Sequence, residues 1–123
     1  MAIERRLKLL AWAERTGAWI IEDDYNSEFR YGVAAIAALQ GLDRAGCVIY
    51  IGTFSRTLFP ELRLGYVVLP PALRESFLAM KWLSDRGSSP LEQRALAQLL
   101  ESGDYERSTR RLWRVLERKR RGL

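Results

Sequence analysis

Two short apolar runs, each breaking off into polar residues, constrain this chain more than anything else in it. Trp19-Ile20-Ile21 leads directly into Glu22-Asp23-Asp24, and residues 48–51 lead into Gly52-Thr53-Phe54-Ser55. Such runs are too short for a helix and fit buried strands of an α/β sheet. A helix precedes the first of them: Ile3, Leu7, Leu10 and Ala11 recur at helical spacing, and Gly17 offers a stop. In an open α/β sheet, ligands bind beyond the carboxyl ends of the strands.

A third strand is expected over residues 64–69, after a loop containing Pro60 and before Pro70-Pro71. About a dozen residues separate it from the second run, too few for a crossover helix, so these two strands should pair antiparallel. Residues 26–46 read as a long excursion broken by Gly32, Gly41 and Gly46, with a short helical piece around 34–39. From Pro71 the pattern turns helical, with Leu73, Phe77 and Met80 on one stripe. Gly87-Ser88-Ser89-Pro90 breaks that helix, Leu91, Ala95 and Leu99 mark the next, and Gly103 separates a last one carrying Tyr105, Leu112 and Leu116. The organisation is thus a sheet and site segment over 1–70 and a helical segment over 71–123.

An apolar fraction of 48% is enough for a core and argues against disorder. With no 18-residue apolar run and no signal-peptide pattern, a soluble cytoplasmic protein is expected, without membrane contact. Cys47 opens an apolar run and is expected to be a buried, reduced thiol; with no histidine beside it, an ordinary zinc site is excluded. The net charge of +5 resides wholly in residues 104–123, where eight Arg/Lys face three acids. Two readings of that tail stand: the solvated face of an amphipathic helix, which is favoured, or a nucleic-acid contact.

Residues 18–31, AWIIEDDYNSEFRY, and 48–66, VIYIGTFSRTLFPELRLGY, resemble the cofactor site of fold-type-I, pyridoxal-phosphate-dependent aminotransferases. In particular they are similar to the aminotransferase-like domain of MocR-type regulators of the GntR family. The resemblance implies part of a mixed-sheet large domain, about three strands followed by helices, and pyridoxal 5'-phosphate as cofactor. It assigns Asp23 to the pyridine nitrogen, Tyr25 to the phenolic oxygen, Thr53 and Ser55 to the phosphate, and Arg63 as the phosphate's guanidinium. The spacing agrees, with 33 residues from Asp23 and 31 from Tyr25 to position 56. Taken singly, each residue has a plainer reading. An Asp pair after a strand makes turns and caps, a Tyr beside it joins cores, loop hydroxyls are common, and Arg63 could pair with Glu61.

The sequence departs from that family at the anchor. Where the family carries S-K-T-L, with the lysine forming the Schiff base, this chain reads Ser55-Arg56-Thr57-Leu58. A guanidinium keeps its proton and cannot serve as the imine-forming amine. Covalent attachment and transamination are therefore not expected, although Arg56 can hold an oxygen of the cofactor electrostatically. Glu61 stands where a glycine is usual and Asn26 where aspartate is common. The resemblance covers residues 2–121 and corresponds to the later part of the large domain. The earlier phosphate loop, the ring-stacking aromatic, the substrate-binding arginine and the DNA reader fall outside it, so low stability alone, or a remnant, is expected. The intact relatives imply a homodimer that takes an amino acid or amine, with no direct DNA contact from this part. Two other readings remain: a structural or dimerisation fragment without cofactor, and a basic nucleic-acid-binding module.

Overall fold

The computed structural model describes residues 1–25 and 37–122. The chain begins with helix α1 (Ile3–Thr16), which Gly17 ends in the left-handed conformation at φ 68°. Its N–H closes on the Ala13 carbonyl, a glycine C-cap that the sequence had announced. Strand β1 (Ile20–Asp24) follows, and after the excursion come a one-turn helix α2 (Leu39–Leu42) and strand β2 (Val48–Thr53). A single 3₁₀ turn, Pro60–Leu62, leads to β3 (Gly65–Val68), and a second, Pro71–Leu73, opens helix α3 (Arg74–Asp85). Helices α4 (Pro90–Glu101) and α5 (Asp104–Arg121) complete the chain.

The three strands form one mixed sheet in the order β1-β2-β3. β1 and β2 run parallel, with Asp23 beside Ile51 and Asp24 beside Gly52. β2 and β3 run antiparallel, with Gly52 beside Tyr66, as the short connection requires. β2 extends two residues beyond the apolar run, through Gly52 and Thr53, while β3 is trimmed by one residue at each end. Of the expected helical piece at 34–39, residues 34–36 lie outside the described residues, as does Asn26. The described helix begins only at Leu39, where the Glu22 carboxylate accepts the N–H groups of Leu39 (2.9 Å) and Gln40 (3.0 Å) and so caps it.

The core is a small corner between α1, α2 and the start of β2: Leu10, Ala13, Leu39, Cys47 and Val48, with Leu9, Ile20 and Leu42 packed against it. Two expectations fail here. The inward face of α1 is Arg6, Leu10 and Ala13, whereas Ile3 and Leu7 are about half exposed. Arg6 is drawn inward because its guanidinium meets Glu22 at 3.7 Å and donates to the Ala37 carbonyl. The first strand is also not buried on both faces. Ile20 turns to α1, while Ile21, pointing the other way, is 67% exposed. Side chains alternate along β1, with Ile20, Glu22 and Asp24 half-buried on one face and Ile21 and Asp23 exposed on the other. Cys47 is buried as expected. The basic residues of α5 are all exposed, and Leu112, Trp113, Val115 and Leu116 lie half-buried opposite them, the pattern of a solvated helix face.

Candidate functional site

Strands β1 and β2 end side by side because they are parallel and in register, so the residues just past each end meet at one edge of the sheet. A cavity of about 340 Å³ opens there, lined by Asp23, Tyr25, Thr53, Ser55, Arg56 and Arg63, together with Ile51, Gly52 and Pro60. All six residues singled out in the sequence therefore face one space. Asp23 is the outward-facing neighbour of Ile51, and its carboxylate has no hydrogen-bond partner among the described residues.

Tyr25 and Arg56, 31 residues apart, form the tightest link across the cavity. Arg56 Nη1 donates to Tyr25 Oη at 3.0 Å, and the guanidinium carbon lies 4.7 Å from the ring centroid. That geometry combines a hydrogen bond with a cation–π contact. A phenol that accepts one bond still has its own O–H to donate. Tyr25 is 54% exposed, which removes the core reading.

The other side of the cavity is the turn after β2. The Ser55 N–H donates to Thr53 Oγ1 at 3.2 Å, and Thr53 Oγ1 reaches the Leu64 carbonyl at 3.5 Å. The Thr53 hydroxyl is therefore occupied in shaping the turn. Ser55 keeps its hydroxyl unengaged among the described residues. Arg63 caps the Pro60–Leu62 turn in the left-handed region, at φ 50° and ψ 24°, and no ion pair joins it to Glu61. A non-glycine residue held in that region stores strain, of the kind that collects at functional sites.

Sequence reasoning missed the supports beneath this edge. Tyr50 Oη donates to Asp24 Oδ2 at 2.8 Å, and burial, followed by that bond, raises the phenol far above its ordinary value. The Asp43 carboxylate accepts N–H groups from Ala45, Gly46, Cys47 and Val48 at 2.7–3.0 Å. Burial pushes its pKa up, yet the backbone bonds outweigh burial and hold it below the ordinary 3.8. An Asp three residues before a Gly is a turn signal that could have exposed this clasp. Beneath the turn, buried Thr57 meets Tyr105 Oη at 3.0 Å, and Phe54 packs edge-on to the Tyr105 ring, tying α5 to the site loop. Nothing in the sequence spacing announces that contact.

Comparison with known proteins decides the fold's kinship. The chain is 46% identical over 117 residues to the probable rhizopine catabolism regulatory protein MocR of Rhizobium meliloti, covering 94% of this chain and 23% of that protein. It is also 46% identical over all 123 residues to an uncharacterized HTH-type transcriptional regulator, YhdI, of Bacillus subtilis, covering 26% of it. The chain carries part of the aminotransferase-like fold of MocR-type regulators. Among solved structures it superposes on a multiple substrate aminotransferase from Thermococcus profundus with a TM-score of 0.90 at 30% identity, over 98% of this chain and 30% of that one. Pyrococcus horikoshii kynurenine aminotransferase gives 0.87 at 29% identity, over 93% and 28%. The chain thus spans about a quarter of the length of the regulators it matches. No protein-family model matches it.

The donor set at the strand ends suits pyridoxal 5'-phosphate: on one rim stand an oriented phenol, a guanidinium, and a carboxylate and a hydroxyl that are unengaged among the described residues. It contains no lysine.

Proposed function

We propose that this chain forms part of a pyridoxal-phosphate-binding, aminotransferase-like domain that holds its cofactor without a covalent bond. What supports this most is the convergence of Asp23, Tyr25, Ser55, Arg56 and Arg63 on one cavity at the strand ends. The cofactor, when bound, supplies a pyridine ring that acts as an electron sink while its nitrogen is protonated. Asp23 holds that proton on the ring nitrogen. Tyr25, its acceptor side already taken by Arg56, donates its O–H to the phenolic oxygen. Ser55 and Arg63 bind the phosphate, and Thr53 acts by shaping the turn that presents Ser55.

Arg56 offers no removable proton and no nucleophilic lone pair, so it can neither bind the cofactor covalently nor shuttle protons. Transamination is not part of the proposal. The role that remains is recognition of the cofactor, and through it of an amino acid or amine, within a cytoplasmic, homodimeric regulator. Contact with DNA is left to another part of that protein.

The test is visible-range circular dichroism with added pyridoxal 5'-phosphate, which is achiral when free, on the chain and on an Arg56→Lys variant. We expect an induced band in both. Dialysis should erase it from the parent chain, whereas the variant should retain cofactor that borohydride fixes permanently. Absence of a band from both, with far-UV helicity intact, overturns the proposal.

A further inference from the structure

Resting on that cofactor reading, we infer that Arg56 changes which form of the ligand the site prefers, from an aldehyde to a carboxylate. The ligand class is a pyridine 5'-phosphate bearing a carboxylate on the ring carbon opposite the nitrogen. Three observations carry the inference. First, Arg56 lines the same cavity as Asp23 and Arg63, so among the described residues the lining carries two guanidiniums against one carboxylate. Second, the bond from Nη1 to Tyr25 uses one of the five N–H donors of the guanidinium, and no carboxylate among the described residues pairs with Arg56. Third, the Arg56 guanidinium lies over the Tyr25 ring, 4.7 Å from its centroid, so it is held across the cavity rather than trailing into solvent.

The electrostatics then order the ligands. Asp23 is matched by a protonated pyridine nitrogen and Arg63 by the phosphate, which leaves the Arg56 charge unopposed among the described residues. An aldehyde offers it one neutral acceptor. A carboxylate offers two charged oxygens, the geometry a guanidinium fork matches best. An ammonium at the same carbon meets like charge. Arg56 is exposed, so water screens the effect, and the preference should fall between an open ion pair and a desolvated one, roughly ten-fold per charge step.

The experiment is isothermal titration of the chain with three probes: 4-pyridoxic acid 5'-phosphate, pyridoxal 5'-phosphate and pyridoxamine 5'-phosphate. Each is repeated with Arg56→Gln and Arg56→Lys. The expected order of affinity is carboxylate, then aldehyde, then ammonium, with Arg56→Gln flattening it and Arg56→Lys favouring the aldehyde. Equal affinities for the three, or an order that Arg56→Gln leaves unchanged, overturn this inference and leave the cofactor reading standing. Binding of none of the three by a chain with intact far-UV helicity overturns both.

Discussion

Removing the Asp43 carboxylate should loosen the strand that carries the site before it disturbs anything else. In Asp43→Ala, four backbone N–H groups lose their acceptor. Ala45 is exposed and Gly46 half-exposed, so both can turn to water at little cost. Cys47 and Val48 are 7% and 2% exposed, and their N–H groups cannot. At ~1–3 kcal/mol for each buried donor left unpaired, the loss comes to about 3 kcal/mol once partial relaxation is allowed. Asp43→Asn should cost less, because its one amide oxygen can turn to the Cys47 and Val48 pair now bound by Oδ2. The assay is hydrogen exchange at the Val48 amide, where about 3 kcal/mol speeds exchange by roughly two orders of magnitude. The sign with pH follows from the depressed carboxyl. Its folded pKa lies below the ordinary 3.8, so the stabilisation is fully present above that value and lost as pH falls through the folded one. Val48 protection should therefore hold steady from neutral pH to about 5 and fall below about 4. Unchanged Val48 exchange in Asp43→Ala, or protection that rises on acidification, would refute the reasoning.

Three further substitutions probe the site loop. Arg63→Gly should raise stability by ~1 kcal/mol in urea unfolding, because φ 50° costs a glycine nothing, while weakening pyridoxal 5'-phosphate binding at least several-fold. Gly52→Ala places a methyl 2.3 Å from Tyr66 Cζ, so the ring must leave its contacts with Phe54 and Tyr50; we expect ~1–2 kcal/mol lost and an altered near-UV spectrum. Thr57→Val removes the link to Tyr105 and the bond to the Phe54 carbonyl at 3.3 Å, with ~1–2 kcal/mol lost and faster exchange at the start of α5.

How much of this was legible in the sequence depends on how local each cause is. Gly17 and Gly103 mark helix boundaries through their own backbone freedom, so both were readable. The antiparallel pairing of β2 with β3 followed from loop length alone. The inward turn of Arg6 was not readable, because it depends on Glu22 and the Ala37 carbonyl, both distant in sequence. The cap of α2 is hidden for the same reason: its acceptor, Glu22, lies 17 residues upstream on a different element. The site residues were legible as a pattern, but their division of labour was not. Only the geometry shows Thr53 occupied within its turn, and the side chains of Ser55 and Arg63 unengaged among the described residues.

The site's dependence on register explains why so much of the support sits away from it. Side chains alternate along a strand, so sliding β1 past β2 by one residue would turn Asp23 towards α1 and Glu22 into the cavity. Nothing at the cavity itself prevents this, since Asp23 is unpaired among the described residues. Two contacts on the other face do. Glu22 is held by Arg6 and the α2 amides, and Asp24 by Tyr50. Each fastens a residue one step from Asp23, and each would be lost in a slip. The carboxylate of Asp23, unpaired among the described residues, is thus kept at the cavity by the bonded carboxylates on either side of it, Glu22 and Asp24. An acidic run that reads in the sequence as one cluster divides in the fold into two structural groups and one that lines the cavity.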